Sequence, residues 1–202
     1  ARAAEAEGIR VIHGNAMRET VLARAELDTR LGAIGLTRNE EVNFLFVQKV
    51  KQEARLKRLY VSLSDDATGV TPSMVHHAGA HILFGGAHDV ERWSARIEHG
   101  TARALRTRFS GGEGGTAMCA EDARCQGKAL PLMFRRGGMW APVGDHVTFR
   151  KRDEVVLVID TNFEDEVLQT LKRNGLVPRT GETSGDDVTA EAPLPDEPGA
   201  AA

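Results

Sequence analysis

Leu31-Gly32-Ala33-Ile34-Gly35-Leu36 is an uncharged run of strand length, and Thr37-Arg38-Asn39-Glu40-Glu41 follows it at once. Asn39 is a residue type that caps helices, and two acids directly after it suit the positive end of a helix dipole. Val42, Leu45, Phe46 and Val50 then recur at helical spacing, with Lys49, Lys51, Arg55 and Lys57 toward the end. A buried strand that runs straight into a capped helix is the repeating unit of a parallel sheet with helical crossovers.

The neighbouring segments extend that pattern. Leu59 to Leu63 reads as the next strand, and Thr71-Pro72 opens a short helix with proline at its first position. Gly79 stops that helix, His81 to Phe84 reads as another strand, and Asp89 to Phe109 reads as a long helix with Val90, Trp93, Ile97, Ala104 and Leu105 inward. On this reading Arg103, Arg106 and Arg108 form a solvated helix face. Upstream, Arg18 to Ala25 reads as a short helix and Val11-Ile12 as a short buried strand closing at His13-Gly14-Asn15. Ala1 to Glu7 reads as the last turns of a helix that Gly8 ends, so the chain is expected to open inside an element, as a fragment does.

Ser110 to Gly115 is rich in glycine and marks a boundary. Beyond it, Ala129 to Phe134, Asp145 to Arg150 and Glu154 to Ile159 read as strands, the last two as a hairpin around Lys151–Asp153. Phe163 to Asn174 reads as a helix with acids first and Lys172 and Arg173 last, stopped at Gly175. The expected fold class is α/β: a partial Rossmann-like parallel sheet lacking its first two strands, then a small α+β lobe. The expected domains are 1–109, a linker at 110–116, a second lobe at 117–178 and a disordered acidic tail at 179–202.

Composition narrows the function. The 202 residues carry a net charge of −3, but positions 180–202 hold six acids and no Lys or Arg, which leaves 26 basic against 23 acidic residues elsewhere. That mild balance does not imply a nucleic-acid partner, and ten aromatic residues are few for stacking platforms. No run of apolar residues is long enough to span a bilayer, and no signal peptide shows. Cys119 and Cys125 are too few for a disulfide framework.

In an open parallel sheet, ligands sit beyond the carboxyl ends of the strands. Two segments fall there: Gly14, Asn15 and Ala16, and Thr37, Arg38 and Asn39, with Asn43 one turn further on. Gly14 permits close backbone approach, Asn15 can donate and accept at a base edge, and a strand-to-helix junction favours hydroxyl and anionic groups. The same residues also serve as ordinary turn and cap residues. Gly112-Glu113-Gly114-Gly115 is the nearest match to a dinucleotide fingerprint, but it follows a helix and reads as linker. His76, His77, His81 and His88 suggest a metal, but no Asp/Glu/Cys set completes one, and they read as surface or capping residues. Trp93 and Trp140 read as core. No serine stands in a nucleophile frame, so no catalytic residue is assigned and a non-enzyme is expected.

Gly8-Ile9-Arg10-Val11-Ile12-His13-Gly14-Asn15-Ala16, followed by Thr37-Arg38-Asn39-Glu40-Glu41-Val42-Asn43, resembles the second half of an RCK N-terminal (Trk-type, KTN) domain. Gly69-Val70-Thr71-Pro72 and Gly79-Ala80-His81-Ile82-Leu83-Phe84-Gly85-Gly86, with Asp89 and Trp93, resemble the version attached to bacterial sodium/proton antiporters. Ala129-Leu130-Pro131-Leu132 and Asp153-Glu154-Val155-Val156 resemble the C-terminal RCK subdomain. The family usually has Asp where Asn15 stands, and often Asp where Asn39 stands. The resemblance implies a nucleotide-binding regulatory module of a cation transporter, at the cytoplasmic face of the inner membrane. Its ligand would be NAD(H) or ATP/ADP, with Gly14, Asn15 and Ala16 toward the adenine and Thr37, Arg38, Asn39 and Asn43 toward the remainder. Its partners would be a membrane transporter domain, fused or separate, and a second copy in a homodimer. A truncated NAD-dependent oxidoreductase and a ligand-free dimerisation module are the alternatives. In the doubly wound strand order, two absent strands would leave the strand at 10–13 about 14 Å from the one at 31–36. Bare strand edges there would make the isolated chain poorly stable and prone to aggregate.

Overall fold

The computed structural model describes residues 2–64, 69–111 and 127–179. The decisive stretch forms β1 (Gly32–Gly35) and runs into α3 (Glu40–Ala54). Asn39 caps α3, its side chain accepting from the Val42 N–H at 2.8 Å. The face of α3 that packs inward is Asn43, Phe44, Val47 and Val50. Val42 and Leu45, expected inward, are exposed. The reason is the contact with β1: a side chain on Gly35 would lie 2.7 Å from the Asn43 carbonyl oxygen, so glycine lets the first turn of α3 settle on the strand and turns Asn43 toward it.

Three parallel strands follow one another in space as in sequence: β1, β2 (Arg58–Val61) and β3 (His81–Ile82). Helix α4 (Pro72–His77), capped by the Thr71 hydroxyl accepting from Met74, joins β2 to β3. The core of this sheet holds Leu59, Val61, Val47, Val50 and Val75, with Leu22 from α2 (Glu19–Arg24). The first helix, α1 (Arg2–Ala6), ends before Gly8 as read from the sequence.

Val11-Ile12 is not a strand. It runs as irregular chain, half-buried, and the preceding Arg10 reaches the Arg24 carbonyl at 2.9 Å and Glu26 at 3.0 Å. A strand needs a ladder partner for its backbone groups, and none of the described residues offers one there. The stretches ending at His13 and Leu36 are not paired. Among the described residues β1 is an edge strand, and Leu31, Ile34 and Leu36 around it are exposed.

The expected long helix at 89–109 divides in two. Asp89 caps α5 (Val90–Glu98), which stops before Gly100 at φ +70°, and the chain then extends as β4 (Ala102–Phe109). Leu105, Thr107 and Phe109 point inward and Arg108 outward, a period of two that overrides the helical reading. Trp93 and Leu105 are buried as expected, whereas Ile97 and Ala104 are exposed. The arginines lie on a strand, not a helix face, and Arg103 pairs with Glu164 at 2.5 Å.

β4 belongs to an antiparallel sheet in the order β6, β5, β7, β4, β8, so the change of sheet falls at about residue 100. Its other strands are β5 (Ala129–Arg136), β6 (Met139–Pro142), β7 (Glu154–Asp160) and β8 (Leu176–Pro178). Residues 145–150 form no strand. β7 fills its two edges with β4 and β5 and leaves no room for the expected hairpin partner. Helix α6 (Glu164–Arg173) packs Val167 and Leu171 against Leu157, Ile159 and Phe149. Arg136 holds the buried Asp153 through Nε at 3.0 Å and Nη2 at 2.5 Å.

Tyr60, Leu83, Phe84, Trp93, Leu130 and Val158 form a third cluster that joins the two sheets. Half-buried Arg96 of α5 pairs with buried Asp160 at the end of β7 at 3.1 Å. The Gly112–Gly115 run, Cys119, Cys125 and the acidic tail lie outside the described residues. Among the described residues no helix is long and apolar enough to cross a membrane.

Candidate functional site

At the carboxyl ends of the three parallel strands lies a cavity of about 220 Å³. Thr37 and Arg38 come from the end of β1, Ser62, Leu63 and Ser64 from the end of β2, and His88, Asp89, Val90 and Glu91 from the approach to α5; Glu40 of α3 completes the wall. Backbone bonds set this arrangement: the Ser62 N–H donates to Gly35 and the His88 N–H to Leu63, both at 2.9 Å. The Arg38 guanidinium crosses to Glu91 at 2.5 Å, tying the β1 end to the first turn of α5. Glu40 accepts from the Ser64 N–H at 3.3 Å.

Asn43 stands one layer behind and is buried. Its Oδ1 accepts from the Thr37 N–H at 2.8 Å and from the Thr37 hydroxyl at 2.7 Å. Its Nδ2 donates to the Thr37 carbonyl at 2.9 Å and the Ser62 carbonyl at 3.2 Å. One side chain therefore locks the ends of β1 and β2 together. This is a positioning role, with all its polar atoms used within the protein.

Of the seven residues singled out from the sequence, Thr37 and Arg38 line the cavity. Asn39 is spent as the cap of α3, and Asn43 supports the wall. Gly14, Asn15 and Ala16 are exposed and are not part of it. Asn15 instead closes its own turn, accepting from the Met17 N–H at 2.9 Å. Ser62, Ser64, His88, Asp89 and Glu91 were missed. Their signal was positional, since each follows a strand or opens a helix at the same end of the sheet.

The lining is hydroxyl-rich and acidic, with Arg38 already engaged by Glu91. Hydroxyls and carboxylates suit the hydroxyl groups of a sugar better than a phosphate, which the three acids would repel. The volume fits part of a nucleotide, not all of one.

A second cavity, of about 420 Å³, opens where the two sheets meet, between His76, Gly79, Ala80, His81, Asp145 and His146. His76 Nε2 contacts Asp145 Oδ2 at hydrogen-bonding range, and His81 stacks on His146 with ring centres 3.6 Å apart. Burial lowers the pKa of His81, with Asp145 opposing. Burial also lowers that of His146, with neighbouring His81 adding to the effect and Asp145 opposing it. Buried Tyr60 nearby is pushed up by desolvation. Of the histidines read from the sequence as surface or capping residues, His76 and His81 thus meet an acid that folding brings to His76 from 69 positions away.

Residues 1–84 match the model of the TrkA-N domain family. This segment is similar to TrkA-N domains. The remaining residues of the chain lie beyond that match. Similar solved structures include the GsuK RCK domain, at 13% identity over 81% of this chain and 38% of that one, with a TM-score of 0.32. The GsuK channel bound to NAD is similar at 12% identity over 81% of this chain and 31% of that one, with a TM-score of 0.32. The GsuK channel gives 13%, 81% and 31%, with a TM-score of 0.31. The chain spans under two fifths of the length of each. No curated protein matches it. The TrkA-N segment ends in the chain just after β3, so it contains all three parallel strands and the Thr37–Asn43 junction.

Proposed function

We propose that the chain is part of a nucleotide-sensing regulatory module of a monovalent cation transport system, and that the cavity at Thr37, Ser62 and Glu91 receives the sugar portion of the ligand. The observation that carries this reading is the position of that cavity: it lies beyond the carboxyl ends of three parallel strands within the TrkA-N segment. Open α/β sheets bind ligands at that edge. The ligand classes are NAD(H) and ATP or ADP. Gly14, Asn15 and Ala16 belong to the adenine side in this reading.

The module breaks no bond. A ligand acts by binding one conformation better than another, and that difference biases a membrane partner, a sodium/proton antiporter or a potassium uptake system, through paired copies of the module. The lone tyrosine, Tyr60, is buried inside β2 and away from the cavity lining, which speaks against a hydride-transfer enzyme built on a Tyr–Lys pair.

Equilibrium titration of the full-length protein with labelled ATP and with NADH tests this. Saturable binding of at least one is expected, weakened at least about tenfold by Glu91→Trp, which fills the cavity mouth from an exposed helix position. Absence of saturable binding to both nucleotides overturns it and leaves the dimerisation module.

A further inference from the structure

We propose that His81, Asp145 and His146 form a site for a borderline divalent transition-metal ion, zinc(II) in the first place, which ties the parallel sheet to the antiparallel one. The inference is independent of nucleotide binding. Among the described residues this is a group of histidine and acid side chains whose ligating atoms all lie within 4.8 Å of one another. A tetrahedral ion with bonds near 2.0–2.1 Å holds neighbouring donors about 3.4 Å apart, so closure takes side-chain turns of about an ångström. His146 is exposed and can make that turn.

The backbone around the group is fixed. Leu83 bridges to Gly144, the Phe84 N–H donates to Val143 at 2.7 Å, and the Asp145 N–H donates to Ile82 at 3.0 Å. These bonds hold the segment after β6 against the end of β3, so His81 and Asp145 meet from opposite sides of the join. The carboxylate is oriented as well. Its Oδ1 accepts from the Ile82 N–H at 3.1 Å and faces His81 Nδ1 at 3.8 Å, while Oδ2 meets His76 Nε2. A ligand steadied by an outer hydrogen-bond partner is how metal sites are commonly supported, and His76 fills that place.

The donor set selects the ion. Two imidazoles and one carboxylate suit zinc and its neighbours, whereas calcium and magnesium want oxygen from most sides. Three protein ligands leave a fourth position toward the cavity, which water or an external ligand can take.

The test is titration of the chelator-stripped full chain with cobalt(II), followed by its displacement with zinc(II). One equivalent giving tetrahedral visible bands is expected. His81→Gln, Asp145→Asn and His146→Gln should each weaken binding at least about 100-fold, and His76→Gln about 10-fold. His13→Gln should bind as wild type. Because His146 is exposed, His146→Gln should melt as wild type in chelator yet gain no stability from zinc, whereas wild type melts higher with zinc present. The proposal is overturned if wild type takes up no stoichiometric cobalt, if the ligand variants bind as well as wild type, or if the spectrum shows thiolate charge transfer, which would place the ion on Cys119 and Cys125.

Discussion

Changing Asn43 to Asp keeps the shape of the side chain and reverses one half of its hydrogen bonding. Oδ1 still receives the N–H and hydroxyl of Thr37. The other atom changes from an N–H₂ that donates to the carbonyls of Thr37 and Ser62 into an oxygen facing both at 2.9 and 3.2 Å. The residue is 1% exposed, so water cannot intervene. Burial and two opposed carbonyls outweigh the two Thr37 donors and raise the pKa of the new carboxyl in the folded state above the ordinary carboxylate range. A raised folded pKa means that the variant loses least at pH below about 4, where the group is protonated in both states. Its deficit relative to wild type then grows as pH rises through the folded value, beyond the single hydrogen bond, worth about 1 kcal/mol, that one O–H cannot replace. Asn43→Ala should be destabilised by about 3 kcal/mol with no such slope, since it leaves neutral groups unsatisfied. Urea unfolding of the three proteins from pH 4 to 8 measures this. Equal stability of N43D and wild type at pH 8, or the same pH slope in both variants, would refute the assignment of Asn43 as the lock between β1 and β2.

Other consequences follow from the same contacts. Arg96→Met should cost about 3–5 kcal/mol in urea unfolding, because Asp160 is left charged and buried where the sheets join. The Arg103 guanidinium holds the Glu164 carboxyl below the ordinary carboxylate range, so the pair stabilises at neutral pH and that contribution is lost as pH falls through the depressed folded value. Both side chains are about one third exposed, so Glu164→Gln should flatten the acid limb of the stability profile by less than about 1 kcal/mol. Ile34→Lys, on the open edge of β1, should reduce self-association in sedimentation velocity without lowering the melting temperature by more than a few degrees.

The parallel part was legible because its signals are local. Asn39, Thr71 and Asp89 cap helices by chemistry that a few residues contain, and the junction at Thr37 follows from a strand ending where a helix begins. The inward face of α3 was misread because Gly35, not the helix itself, decides which residues meet the sheet. The antiparallel part was less legible. β4 alternates arginine with apolar residues, a pattern that also satisfies a helix until its ladder with β7 is known. β6 hides behind Gly137-Gly138, which reads equally well as the end of β5 or as the turn of a hairpin. The site divides in the same way. Thr37 and Arg38 could be found from the strand-to-helix junction, whereas Ser62, Asp89 and Glu91 join them only through sheet order. Asp145 and His146 reach His81 only through the packing of one sheet on the other.

Hydrogen–deuterium exchange of the full-length protein, with and without a saturating adenine nucleotide, tests the central claim most directly. The account predicts slowed exchange at residues 37–43, 62–64 and 88–91, the three segments that meet at the carboxyl ends of β1, β2 and β3. Unchanged exchange in all three while nucleotide is bound, with protection elsewhere, would contradict it.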